Sequence, residues 1–150
     1  MSAFAVADLL GLVAFGELLA FERMAGDARL APDLRRRAAL SEMAAAEIAN
    51  YRRLADRLTA LGVSPEDAMA PHVEPVQAYH DSTEPRDWAE VVTKAYVGDA
   101  ITDDFVREIA AERATLTALI ARDGRVDVPG LFGRLTTAHA ARMAAAGLNN

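Results

Sequence analysis

Glu17, Glu47, Asp99 and His139 are the side chains of this sequence best suited to chemistry, because each interrupts a run of apolar residues at helical spacing. Burying an ionised carboxylate costs several kcal/mol unless it is paired, neutralised or bound to a metal. Acids repeated in apolar stripes therefore point to one shared polar site. Two chemistries suit such a set. Carboxylate-bridged two-metal centres in helical bundles take a Glu from each of two helices and a Glu-x-x-His pair from each of the other two, the i, i+3 spacing placing both ligands on one face. Apposed acids in a dry pocket also hold their proton affinities apart, which makes one an acid and the other a base near neutral pH.

The metal pattern is incomplete. Glu47-Ile48-Ala49-Asn50 carries an asparagine where the pair needs histidine, and Thr136-Thr137-Ala138-His139 carries a threonine where it needs a carboxylate. Asn50 is a weak neutral oxygen donor and Thr136 a poorer one, so a two-metal centre is not expected, whereas the remaining ligands suffice for a single iron, manganese or zinc. Each residue also has a plainer reading. Glu17 and Glu47 are equally satisfied as core acids by Tyr51, Asn50 or backbone groups, and Asn50 by bonding Glu47. Asp103 or Asp104 can replace Asp99 as the inward acid, and His139 can be a core histidine. Tyr51 and Tyr96 read first as core filling. His72 and His80 read as surface residues of a proline-rich connection.

The elements that must position these groups are all helical. Residues from about Phe4 to Ala25 form a first helix with seam Leu10, Val13, Ala14, Glu17, Phe21 and Met24, ended by Gly26. Pro32 suits the first turn of a second helix, which runs to about Leu61 with seam Leu40, Ala44, Glu47, Tyr51, Leu54, Leu58 and Leu61. Gly62 closes it, and Ser64-Pro65-Glu66-Asp67 is a cap and start for a short helical turn. From Ala70 to Pro85 three prolines predict a long connection with at most a short helix. A third helix from near Pro85 presents Trp88, Val92, Ala95, Asp99, Thr102, Val106 and Ile109. After the break at Asp123-Gly124, Pro129 opens a fourth with seam Val128, Phe132, Leu135, His139, Met143 and Ala146. The expectation is an all-α four-helix bundle with one long crossover between helices 2 and 3, spanning 1–150 as a single domain.

Composition agrees with this reading and narrows the chemistry. The chain has 150 residues, 52% of them hydrophobic and many of those Ala, which favours helix. It has no cysteine, which removes thiolate nucleophiles, disulfides and Cys-ligated metals. The net charge of -6 argues against nucleic acid as a partner. Arg35-Arg36-Arg37, the only basic run, reads as the solvated start of a helix. The apolar N-terminus lacks a basic leader and is interrupted by Asp8 and Glu17, so neither a signal peptide nor a membrane span is expected, and cytoplasmic location follows.

The stretches LLGLVAFGELLAFERMAGDARLAP, AALSEMAAAEIANYRRLADRLTALGVSPEDAMAP and KAYVGDAITDDFVREIA closely resemble an actinobacterial group of ferritin-like proteins similar to the tRNA hydroxylase that acts on a thiomethylated isopentenyl-adenosine. The resemblance covers most of residues 9 to 110. It implies a di-iron monooxygenase ancestry with ligand positions at Glu17, Glu47, Asn50, Asp99, Thr136 and His139, of which Asn50 and Thr136 depart from the family pattern. Three functions follow. The first is an enzyme without a metal cofactor, using Glu17, Glu47, Asp99 and His139 for acid/base chemistry on a small organic substrate near Asn50, Tyr51, Tyr96 and Thr136. The second is a hydroxylase or oxidoreductase that keeps iron or manganese on the same four residues. The third is a non-catalytic binding or assembly protein, and the Ala-rich faces leave room for a homodimer.

Overall fold

Two long helices, α1 (Ala3–Asp27) and α2 (Leu34–Ala60), lie antiparallel, since Ala14 packs with Leu58 and Ala28 with Leu40. A short α3 (Pro65–Met69), a 3-10 turn (Ala70–His72) and α4 (Val73–Ser82) follow, and α5 begins at 88. The computed structural model describes residues 3–98, and the chain divides into two compact units, Met1–Ala95 and Tyr96–Asn150. The fold is all-α, with no strand among the described residues. No described helix is long and apolar enough to cross a membrane. The expected fourth helix, with Thr136 and His139, lies outside the described residues, as does Asp99.

Local sequence explains each boundary. Asp33, not Pro32, starts α2: its side chain accepts the Arg36 N–H at 2.8 Å, filling one of the orphan donors of the first turn. Arg36 also pairs with Asp33, and Arg35 to Arg37 are exposed as expected. At the other end Gly62 adopts φ 77°, with Gly62 N–H on the Thr59 carbonyl at 2.9 Å and Val63 N–H on the Leu58 carbonyl at 3.0 Å. This is the Schellman closure, and Val63 packs back on the cluster that holds Leu58. Ser64 caps α3 by accepting the Asp67 N–H at 3.2 Å, with Pro65 in the first turn. Asp87 caps α5 through the Glu90 N–H at 3.0 Å.

Three expectations are corrected. Gly26 does not end α1, which continues to Asp27 and tightens into a 3-10 turn at Ala28–Leu30. The prolines of the crossover do not prevent a ten-residue α4, because Pro75 sits in its first turn, where no helical N–H is lost. On α5 the buried residue is Val91, 3% exposed, while the expected Val92 is 48% exposed. Trp88, Val91 and Ala95 share one face at i, i+3, i+7.

Among the described residues, two apolar clusters lie on the α1–α2 pair. One joins Ala7, Ala14, Leu58, Ala68 and Met69, with Phe15, Tyr51 and Leu54 packed beside it. The other joins Ala28, Leu40 and Val91, with Met24 and Trp88 alongside. The α2 seam holds at Leu40, Ala44 and Leu58 and gives out at Leu61, which is exposed. At Gly11 the α1 backbone meets the Ala68 carbonyl so closely that a Cβ would lie 2.1 Å from that oxygen.

Candidate functional site

Glu17 follows Ala14 by three residues on α1, and Asn50 precedes Leu54 by four on α2, so both lie on the facing sides of the two helices. Both are half-buried. The Asn50 Nδ2 donates to Glu17 Oε2 at 3.2 Å, and the Arg53 guanidinium donates to Asn50 Oδ1. These two contacts fix the amide: its NH2 must face the carboxylate and its carbonyl the cation. The result is a directed chain from the Arg53 cation through a polarised amide to the Glu17 anion. Asn50 thus binds Glu17 across the helix interface. Glu47, one turn before Asn50 on α2, is half-buried as well, and Tyr51 is half-buried against the first apolar cluster. Tyr96 is 61% exposed.

The donor chemistry of this half-site does not fit a di-iron centre. Where the pattern requires an imidazole lone pair, Asn50 presents N–H to Glu17, and its carbonyl oxygen is taken by Arg53. An N–H is no ligand, and a guanidinium on the only donor oxygen competes directly with a cation.

His72 and Asp8 form a second polar pair. His72, expected on the surface, is 2% exposed, and its Nε2 lies 3.0 Å from Asp8 Oδ1 and 3.1 Å from the Asp8 carbonyl oxygen. Asp8, which read as a charge interrupting the N-terminal apolar run, is 7% exposed. Both acceptors need a proton on Nε2, so the imidazole donates to side chain and backbone together. The pair ties α1 to the turn before α4. The available signal was positional: Asp8 falls four residues before Leu12 and eleven before Leu19, both buried, so its face of α1 was inward.

His80 is also not a simple surface residue. Its ring is half-buried, edge-on to Tyr79 at 5.4 Å, and its Nδ1 is buried without a hydrogen-bond partner among the described residues. Burial, reinforced by the Lys94 and Arg23 cations, pushes its pKa down to about 4. The Lys94 ammonium donates to the His80 carbonyl at 3.3 Å.

A family model described as a ferritin-like domain of actinomycetes matches residues 2–146. No curated protein matches the chain.

Proposed function

The chain belongs to the ferritin-like domain family of actinomycetes, and on that premise we propose an enzyme that acts on a small organic metabolite with Glu17 as its proton-transfer group and without a di-metal centre. The observation that carries this reading is the Asn50 contact to Glu17 at 3.2 Å, backed by Arg53. A ligand position has been converted into a hydrogen-bond donor aimed at the remaining acid. Asn50 holds Oε2, which fixes the plane of the carboxylate and leaves Oε1 to meet an O–H, N–H or acidic C–H of a bound substrate. Glu17 takes that proton on Oε1, is neutral while the substrate carries the negative charge, and returns the proton to the product, and the Asn50 amide, oriented by Arg53, holds the carboxylate form before the first step and after the second. Glu47 supplies a second carboxyl one turn away on α2. The apolar clusters on either side favour an apolar or amphipathic substrate.

The test is elemental analysis of protein from cells grown with added iron and manganese, followed by native mass spectrometry against a metabolite extract. The expected result is no stoichiometric metal, and a retained small molecule that wild type turns over and Glu17→Gln does not. About two metals per chain, the complement of an intact carboxylate–histidine centre, would overturn the reading and favour the hydroxylase alternative. Equal turnover by Glu17→Gln would remove Glu17 from the chemistry.

A further inference from the structure

The C-terminal turns of α1, the segment at 84–85 and Lys94 of α5 enclose a cleft of about 180 Å³. That is small beside the several hundred Å³ of typical cofactor sites, so it suits a metabolite of few atoms. Its charged lining is balanced: Glu22, Asp27 and Glu84 against Arg23, Arg29 and Lys94. Three of these charges, Arg23, Asp27 and Lys94, are half-buried. Burial pushes the Asp27 carboxyl up despite the attraction of Lys94, and burial pulls the Lys94 ammonium down despite the attraction of Asp27. They feel each other across the cleft, yet no ion pair within 4.0 Å joins them among the described residues. Arg23 is committed to Asp81, whereas Lys94 spends one of its three protons on the His80 carbonyl. The cleft lining therefore holds a partly desolvated anion and a partly desolvated cation that are not joined as an ion pair. Gly26 also lines the cleft, and a Cβ there would meet nothing within 4 Å.

We propose that this cleft is a binding site for a small zwitterion, with Asp27 taking the ligand's ammonium and Lys94 its carboxylate. A ligand carrying both charges bridges the two groups and relieves the desolvation of each, whereas a singly charged ligand relieves one and leaves the other. The site lies beyond Glu17 along α1 and does not depend on the acid/base reading. The test uses the full-length protein and calorimetry with glycine, 4-aminobutyrate and 6-aminohexanoate, which differ in charge separation, against butyrate and butylamine as half-ligands. The expected result is saturable binding of at least one zwitterion, with both half-ligands weaker by about tenfold or more. Asp27→Asn and Lys94→Met should each weaken that zwitterion by about tenfold, the effect of losing one charged hydrogen bond. Gly26→Leu, which adds a bulky side chain at the cleft lining and leaves both charges in place, should abolish binding with the helical circular dichroism unchanged. Failure of every zwitterion to saturate, equal binding of a half-ligand, or binding that survives Gly26→Leu would each overturn the proposal.

Discussion

Gly11→Ala and Gly26→Ala make the same chemical change on the same helix and should have opposite effects on stability. In α1 each substitution gains about 1 kcal/mol of helix propensity. At Gly26 nothing opposes that gain, since a Cβ meets no atom within 4 Å and the backbone is not left-handed. At Gly11 the new methyl would lie 2.1 Å from the Ala68 oxygen and 2.5 Å from its carbonyl carbon, both backbone atoms that cannot rotate away. Favourable contact begins at about 3.5 Å, so α1 and α3 must part by more than about 1 Å. That parting opens the cluster of Ala7, Ala14, Leu58, Ala68 and Met69. Overpacking of this kind costs about 1–3 kcal/mol, and a clash with backbone belongs at or above the upper end, so a net loss of about 2 kcal/mol or more remains after the propensity gain. Urea unfolding followed by far-UV circular dichroism should place Gly26→Ala about 0.5–1 kcal/mol above wild type and Gly11→Ala below it, with similar denaturant slopes. A Gly11→Ala variant at least as stable as wild type would refute the close approach of α1 to α3.

The buried Asp8–His72 pair predicts a cost of about 1–3 kcal/mol for His72→Ala, which removes the imidazole that donates to the Asp8 side chain and carbonyl, and a smaller cost for Asp8→Asn, whose amide oxygen and backbone carbonyl still accept from Nε2. The double variant should cost clearly less than their sum, and strictly additive urea-unfolding free energies would count against the contact. His80 predicts a pH dependence. Its folded pKa lies at about 4, below the ordinary 6.5, so between these values the unfolded chain binds more protons and this group's contribution to stability is lost as pH falls from 6.5 towards 4. A histidine NMR titration checks it, and a His80 midpoint near 6.5 would show a hydrated ring.

Features set by neighbours in sequence were legible. The Gly62 closure, the Ser64–Pro65 start and the α2 seam at Leu40, Ala44 and Leu58 depend on residues within a few positions, and all appear as read. Prolines in the crossover limit helix only by position: Pro75, near the start of α4, does little harm. The polar site was legible in part. Glu17 and Asn50 are brought together, but the role of Asn50 as donor to Glu17 required Arg53, which no ligand pattern includes. The Asp8–His72 pair joins residues 64 apart, beyond any helical period. The opposed charges of the cleft likewise come from three separate segments.

The separation of that pair also bears on how the chain folds during synthesis. Helices α1 and α2 form a hairpin of local contacts, which can close as soon as both have left the ribosome. The seat for the N-terminal half of α1 is completed only when Ala68 and His72 emerge to meet Gly11 and Asp8. Until then Asp8 has no imidazole to receive it, and the apolar side of α1 beside Gly11 lies uncovered. A nascent chain stalled before residue 72 would therefore expose a ready target for chaperones, and release past that point would bury it.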